Sequence, residues 1–279
     1  MDADNFKDFE KLHSTLNEIV GDFLNRHLPL RRIILVSSLL KECKLESPEN
    51  AKIINRLIKE QKADGGWIDC EDTAWSLYYL YHINSVRKNV EKGLLWLENE
   101  KYKNKGWSFC KRDQPCIPIT AQILYLLPHF HKTVEPARWL ENEWKIDLAS
   151  PIKLNYKAAW YLLAYSCLQN EVILSKELFS KTISYLLREQ RNNGSWGPWK
   201  EHPAPSECFI TGICMAALAL SYSISKDKRI INSLIKGISW IKENQLKNGL
   251  FPTHYIEEGS AWILFGWSKA IASIENKKI

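Results

Sequence analysis

A short phrase with glutamine, glycine and an aromatic residue at fixed spacing recurs along this chain. The Gln-x-x-x-Gly-x-Trp/Phe pattern occupies residues 61–67, 190–196 and 245–251, and weaker copies lie at 96–107 and 139–142. With Gln-equivalent positions at 61, 101, 144, 190 and 245, the spacing is 40 to 55 residues. A repeat of this length is typical of units built from two helices. The chain is therefore predicted to fold as an array of helical pairs.

The repeated phrase has a structural explanation. Gly65, Gly194 and Gly249 are expected to adopt the left-handed conformation that stops a helix, and the aromatic ring that follows can pack across the turn. The glutamine is expected to hydrogen-bond the exposed backbone end of a neighbouring helix. These residues are therefore predicted to shape turns rather than to carry out chemistry.

Two classes of helix alternate between the repeated turns. Residues 175–189 place their apolar side chains on one stripe, whereas residues 207–222 are apolar nearly all round. The amphipathic set comprises 50–61, 89–99, 134–144, 175–189 and 229–244, and the apolar set comprises 72–83, 117–130, 155–168, 207–222 and 258–272. A further pair, roughly 5–24 and 31–43, precedes them.

This alternation predicts a ring within a ring, in which outer helices face water and inner helices line a central cavity. Six pairs close such a circle, so we predict an all-α fold, a six-pair α/α barrel. It forms a single domain over residues 1–279, completed by the N-terminal pair at about 5–43. An open superhelix of helical pairs is the alternative, but it needs more even repeat lengths and capping ends.

The composition of the chain restricts which partners and which cellular location are expected. No run of about 18 apolar residues is present, so no transmembrane segment is predicted. The N-terminus is polar and the seven cysteines are scattered, which favours reduced thiols in the cytoplasm. The net charge of +6 is spread along the chain, so nucleic acid is not an expected partner. Such a charge suits an anionic small molecule or an anionic surface, which leaves a membrane-peripheral location open.

Three acidic residues follow the first repeated turn. Asp69, Glu71 and Asp72 fall within four positions. Because crowded carboxylates repel one another, at least one is expected to keep its proton above the ordinary pKa near 4. A neutral carboxylic acid beside an aromatic-rich cavity is a proton donor. Helix capping competes as an explanation, since Asp69 or Asp72 can cap the following helix and the helix dipole favours Glu71 in its first turn.

The repeated turn resembles the QW repeat of the terpene cyclase and prenyltransferase superfamily, over nearly the whole chain from about residue 50. Residues 69–74, Asp-Cys-Glu-Asp-Thr-Ala, resemble the Asp-x-Asp-Asp-Thr-Ala signature of class II terpene cyclases. In that family the signature opens an inner helix, and its middle acid protonates a terminal alkene or epoxide. The resemblance implies that Glu71 is the proton donor and that Asp69 and Asp72 hold and orient it. It implies cyclisation of a linear polyprenyl substrate.

The chain departs from the family pattern in three places. Its middle acid is glutamate rather than aspartate, which changes the reach of the acid. The loop between Trp67 and Asp69 is short. Family members pair this barrel with a second one, so this chain either works alone or binds a second barrel or another copy of itself. No Asp-Asp-x-x-Asp metal motif occurs. No cofactor is expected, except that Mg²⁺ bridging is plausible if the substrate carries a diphosphate.

Aromatic residues on the apolar segments are candidates for contacting the substrate. Aromatic faces stabilise cations by about 0.5–2 kcal/mol each, and ordinary core packing is the competing explanation for every ring. The candidate substrate-binding residues are Trp75, Tyr78, Tyr79, Trp160, Trp262 and Phe265. The candidate diphosphate-binding residues are Arg31, Arg32, Lys103, Lys105, Lys111 and Arg112, and surface solvation is the competing and favoured explanation for each of them.

Two other readings remain open at this point. Protein prenyltransferase β subunits of the same superfamily hold zinc, and Cys208 and His254 stand in roughly suitable places. Ser206 replaces the aspartate that such a site prefers, and a third ligand would have to come from Glu207 or His202. The second reading is a barrel that binds an isoprenoid, or acts as a scaffold, without catalysis. A glycan-processing barrel is also conceivable, although the repeated turn argues against it.

Overall fold

A computed structural model describes residues 3–45, 47–103, 105–130, 134–203 and 207–275. These residues form twelve α-helices and one short 3₁₀ turn at Asn84–Val86. The helices are α1 (Ala3–Asn25), α2 (Leu30–Glu42), α3 (Asn50–Glu60), α4 (Cys70–Leu80), α5 (Arg87–Glu100), α6 (Ile117–Leu126), α7 (Val134–Ala149), α8 (Asn155–Leu168), α9 (Lys176–Glu189), α10 (Cys208–Ser225), α11 (Lys228–Asn244) and α12 (Ile256–Glu275).

The even-numbered helices form an inner ring. Each packs against the next in chain order, and α12 packs against α2, which closes the circle. The odd-numbered helices lie outside and contact the inner helices of their own or the adjacent pair. The predicted all-α barrel of six helical pairs is therefore confirmed for the part of the chain that the structure describes.

The polarity of each helix explains whether it lies in the inner or the outer ring. Helix α10 is buried along most of its length, whereas α3 buries only Ile53 and Leu57 and exposes a charged face. An apolar stripe must be covered by another element, and an all-round apolar helix must be covered on every side. Among the described helices, α10 alone is long and apolar enough to cross a membrane, but 67% of it is buried inside the barrel.

The repeated glutamines join neighbouring outer helices. Gln61 ends α3, and its amide nitrogen donates to the carbonyls of Gly65 at 2.7 Å and Asn89 on α5 at 2.9 Å. Gln190 makes the same pair of bonds within its own turn and to α11. Gln245 repeats them, and its second acceptor is Asp8 on α1. The last turn therefore attaches to the first helix and closes the outer ring.

These bonds correct two details of the predicted turn. The glutamine bonds carbonyls within the first two turns of the next outer helix, rather than its exposed end. The outer helix stops at the glutamine itself, and the glycine adopts a positive φ four residues later, where the turn passes close to the next helix. A Cβ atom on Gly65, whose φ is +104°, would lie 2.5 Å from the carbonyl oxygen of Lys92.

The aromatic residue of each turn connects the two rings. The Trp67 indole donates to the Leu57 carbonyl on α3 at 3.0 Å, and its backbone N–H donates to the Thr73 hydroxyl on α4 at 3.0 Å. Trp107 and Trp196 make equivalent pairs of bonds. The threonine of the acidic signature is thus explained by the turn, because it accepts a backbone N–H that would otherwise be buried without a partner.

Several predicted boundaries were wrong by a few residues. Helix α4 ends at Leu80 rather than 83, and α6 ends at Leu126, two residues before Pro128. Proline disfavours helical conformation in the residue before it, which accounts for the second difference. The weak copy around 139–144 is not a turn, because α7 continues through it to Ala149.

Candidate active site

The three acidic residues lie at the start of α4, on the inner ring. Asp69 is the N-cap of this helix, and its carboxylate accepts the backbone N–H of Asp72 at 3.0 Å. Capping therefore explains the position of Asp69. It does not explain the side chain of Asp72, which is 2% exposed, or that of Glu71.

Arg31, near the start of α2, gathers the three carboxylates. Its Nε donates to both oxygens of Asp72, at 2.9 and 3.1 Å, and its Nη2 donates to Asp69. The same Nη2 lies 3.7 Å from an oxygen of Glu71, beyond hydrogen-bond distance. Burial lowers the pKa of Arg31, but the bond to Asp72 and the three negative charges outweigh it and raise the pKa overall. The guanidinium is therefore a permanent positive charge that pairs most closely with the two aspartates.

Glu71 is the carboxyl that this arrangement leaves neutral. Burial, and then the nearby charges of Asp69, Asp72 and Glu258, raise its pKa to about 7 against the opposing effect of Arg31. Its side chain remains 28% exposed, so solvent can exchange its proton. Burial also raises the pKa of Asp72, but the hydrogen bond from Arg31 opposes that change. Below about pH 7, Glu71 therefore keeps its proton in the folded protein.

A stripe of side chains runs down α4 from this acid. Glu71, Trp75 and Tyr78 are four and then three residues apart, so they share one face of the helix. Helix α12 carries the same pattern in Glu258 and Trp262. The ring centroids of Trp75 and Trp262 are 6.1 Å apart, which places the two stripes opposite each other inside the barrel.

An aromatic cluster lies one turn below the acid. Trp262 makes edge-to-face contacts with Trp160 at 5.6 Å, Phe209 at 5.3 Å and Phe265 at 5.9 Å. Trp75, Trp160 and Trp262 are each 3% exposed or less. The indole nitrogens of Trp75 and Trp262 have no hydrogen-bond acceptor among the described residues. These rings form an apolar floor beneath the carboxyls.

Two of the candidate substrate-binding residues, Tyr78 and Tyr79, form hydrogen bonds away from the acidic residues. Tyr79 is placed within reach of the acid by the sequence prediction, but its hydroxyl donates to Asn50 at the start of α3, so it faces an outer helix. Tyr78 lies below Trp75, where its hydroxyl donates to Glu42 at 2.5 Å. Consecutive helical residues point about 100° apart, so only one of the two tyrosines can follow the inward stripe.

The opposite end of the barrel holds a separate cavity of about 490 Å³. Glu42 lies at its inner wall, accepting hydrogen bonds from Tyr78 and Tyr125 and pairing with Lys269 at 3.1 Å. Four inner helices thus converge on one carboxylate. This group ties the far ends of α2, α4, α6 and α12 together and separates the aromatic floor from the far cavity.

The structure does not assemble the alternative zinc site from the described residues. Cys208 is buried at the start of α10, whereas His254 is exposed and packs edge-on against Tyr255. Ser206 lies outside the described part of the chain. Within the described ranges, no three His, Cys, Asp or Glu side chains are arranged so that they could hold a metal ion.

Sequence reasoning missed several residues of this site. It considered Arg31 and Arg32 as diphosphate ligands or solvated surface cations, but Arg31 donates to Asp69 and Asp72, and Arg32 donates to Glu257 at 2.6 Å. Glu258 and Phe209 were also missed. Their one signal is position: Phe209, like Glu71, is the second residue of an inner helix, and Glu258 is the third.

Comparison with known proteins supports the fold. No protein-family model matches the chain, and a search of curated proteins finds no match. A variant of the type II terpene cyclase MstE from Scytonema, in complex with geranylgeranyl dihydroxybenzoate (substrate), is a solved structure that matches. It aligns with a TM-score of 0.70 and 13% identity, covering 96% of this chain and 99% of that chain.

Two further solved structures share the architecture. ent-Copalyl diphosphate synthase from Streptomyces platensis aligns with a TM-score of 0.62 and 18% identity, covering 88% of this chain and 50% of that chain. A possible member of the GH105 family from Klebsiella pneumoniae subsp. pneumoniae aligns with a TM-score of 0.61 and 11% identity, covering 86% and 81%. At these identities the likeness shows a shared fold. The chemistry has to be argued from the side chains.

Proposed function

We propose that this barrel is a class II terpene cyclase, in which Glu71 protonates a linear polyprenyl substrate and so starts its cyclisation. The proposal depends on one observation: Arg31 hydrogen-bonds two of the three neighbouring carboxyls and not the third. Arg31 donates hydrogen bonds to Asp69 and Asp72, while Glu71 lies beyond hydrogen-bond distance, above a floor of tryptophan rings.

This arrangement suits protonation of carbon. An alkene is a weak base, so its proton donor must be a neutral acid held away from bulk water. Arg31 donates hydrogen bonds to Asp69 and Asp72, and the charges of these two residues disfavour ionisation of Glu71. After Glu71 gives up its proton, the nearby guanidinium stabilises the new carboxylate. Burial and the two aspartates thus favour the neutral form of Glu71, whereas Arg31 stabilises the carboxylate that remains after proton transfer.

The aromatic floor supplies the second requirement. Cyclisation moves positive charge along the folded substrate, and tryptophan is the ring that stabilises a nearby cation best, by about 0.5–2 kcal/mol. Trp75 lies one helical turn below Glu71, and Trp160 and Trp262 continue the surface across the barrel. Rings that also exclude water protect the cation from premature capture. We propose these three residues as the main substrate contacts.

The comparisons inform the choice of substrate. MstE is a type II terpene cyclase, and its structure aligns with this chain nearly end to end, which supports activity in a single barrel. Its complex contains geranylgeranyl dihydroxybenzoate. We propose a polyprenyl group of this general kind, attached either to an aromatic acid or to a diphosphate. Sedimentation velocity would show whether the barrel acts alone or as a dimer.

The test is turnover in deuterium oxide. Purified protein is incubated with farnesyl diphosphate, geranylgeranyl diphosphate and geranylgeranyl dihydroxybenzoate, and the products are analysed by mass spectrometry. Because the Glu71 proton exchanges with solvent, each cyclic product should carry one deuterium at the carbon that was protonated. Glu71→Gln should abolish cyclisation. Glu243→Gln, an exposed substitution on outer helix α11, is the matched control and should retain it.

Two results would contradict the proposal. If Glu71→Gln forms cyclic products at the wild-type rate, Glu71 is not the proton donor. Tight binding of a substrate by the wild-type protein without any conversion would instead support an isoprenoid-binding barrel without catalysis.

A further inference from the structure

Glu258 is a carboxyl that takes no part in the proposed protonation step. It lies in the first turn of α12, is half-buried, and forms no hydrogen bond or ion pair with the described residues. Its neighbour Glu257 behaves differently, since it is buried and accepts a 2.6 Å hydrogen bond from Arg32. Two adjacent glutamates thus have distinct roles, and only Glu257 has a structural partner.

The helix geometry places Glu258 at the same level as Glu71. Each carboxyl lies four residues before a tryptophan of the floor, Trp262 on α12 and Trp75 on α4, so each projects above its own ring. The two rings are 6.1 Å apart, and both indole N–H groups are buried without an acceptor among the described residues. A substrate lying on this pair of rings would meet one carboxyl on either side.

We propose that Glu258 is the base that ends the cyclisation, an assignment that rests on the proposed function. After ring closure, a C–H bond next to the cationic carbon breaks. Its electron pair forms the C=C bond of the product, and its proton passes to a carboxylate oxygen of Glu258. Glu71 has lost one proton and Glu258 has gained one, so no oxidant, reductant or other reactant is needed.

The charges of Glu71 and Glu258 are consistent with Glu71 as the acid and Glu258 as the base. In this assignment Glu71 starts neutral and Glu258 starts ionised, and the reaction exchanges the two states. The total charge of the two carboxyls is therefore the same before and after the reaction, and between the two steps the additional carboxylate is balanced by the carbocation. Burial and the charge of Glu257 raise the pKa of Glu258, while the charges of Arg31 and Arg32 oppose that rise and favour the carboxylate. Arg31 lies on α2, between α4 and α12 in the inner ring, and interacts electrostatically with both glutamates. Both side chains are partly exposed, so proton exchange with water restores the starting state.

The test compares product composition rather than rate alone. The wild-type protein and Glu258→Gln are given the substrate that the wild type converts, and substrate loss and product structure are followed together. Removing a general base typically slows the step it serves by about 10²–10⁴-fold. We therefore expect substrate consumption to continue, while the wild-type alkene falls at least tenfold in share. Hydroxylated or isomeric products should replace it. Glu258→Asp, which keeps a carboxylate, should recover most of the alkene.

The controls separate this proposal from the proposed function. If the wild type converts none of the substrates, the cyclase itself is refuted. If the wild type cyclises them but Glu258→Gln gives the same product mixture, only the assignment of Glu258 is wrong. A wild-type product that carries a hydroxyl from water would overturn the assignment too. Complete loss of substrate consumption in a folded Glu258→Gln would place the residue in the protonation step instead. If the glutamine variant does not fold, Glu258→Met, which also lacks a carboxylate, provides the same comparison.

Discussion

Replacing Glu71 by glutamine should make the protein more stable at alkaline pH, although it removes the proposed catalytic acid. Glu71 has an ordinary pKa of 4.5 and a pKa of about 7 in the folded protein. Below pH 4.5 the carboxyl is neutral in both folded and unfolded chains. As the pH rises through this window, the unfolded chain ionises first, so the free energy of unfolding falls. The loss is complete once the pH exceeds about 7.

The magnitude follows from the two pKa values. One pKa unit corresponds to about 1.36 kcal/mol, so a rise from 4.5 to about 7 corresponds to about 3 kcal/mol. Solvent still reaches 28% of the side chain and weakens the effect, which brings the expected value to about 2 kcal/mol. Glutamine cannot ionise, so the variant should escape this loss.

Urea unfolding followed by tryptophan fluorescence is a suitable assay, at pH 5 and pH 8. Wild type and Glu71→Gln should differ more at pH 8 than at pH 5, in favour of the variant by about 2 kcal/mol. Asp72 and Glu258 also have raised pKa values, but they are present in both proteins, so the difference isolates Glu71. Glu243→Gln should show no such dependence. An equal difference at both pH values would refute the assigned environment of Glu71. Cyclisation by the wild type should fall about tenfold per pH unit above pH 7.

Four further substitutions test other parts of the structure. Arg31→Gln leaves the buried Asp72 without its partner and should lower the free energy of unfolding by urea by about 2–3 kcal/mol. This is near the lower limit for breaking a buried ion pair because Arg31 is partly exposed. Unchanged stability would contradict a stabilising role for the Arg31–Asp72 ion pair. Gly194→Ala puts a Cβ atom 2.2 Å from the Lys236 carbonyl at a φ of +94°, so a loss of about 1–3 kcal/mol is expected. Gly21→Ala, whose Cβ has nothing nearer than 3.7 Å, should be neutral or stabilising. Trp262→Phe should slow cyclisation about 2- to 30-fold through weaker cation stabilisation, measured as kcat with folding checked by circular dichroism.

The barrel could be predicted from sequence because its determinants are local. The polarity of each segment assigns it to a ring, and the repeated turn sets the length of each pair. The copy around 139–144 was misread because its tryptophan is followed by further helix, and α7 runs through the expected turn. Local pattern also failed at Tyr79, since the choice between adjacent tyrosines depends on helix phase.

The candidate site was only half visible in the sequence. Asp69, Glu71 and Asp72 are neighbours in the chain, so their crowding could be read directly. Their counter-charge, Arg31, is on another inner helix, and Glu258 is on the last one. Closure of the ring brings these three helices together, and no spacing rule connects residues so far apart. Arg31 was considered only as a diphosphate ligand or a solvated surface cation, because its carboxylate partners could not be identified from the sequence.

The contact between α12 and α2 has a consequence for how this protein is made. During synthesis, Arg31 and the acidic trio leave the ribosome well before α12 does, so the end of the barrel that holds these carboxyls is completed only when α12 packs against α2. Contacts between segments so far apart in the sequence slow folding. Until α12 has packed, the apolar faces that it covers on α2 and α10 stay exposed.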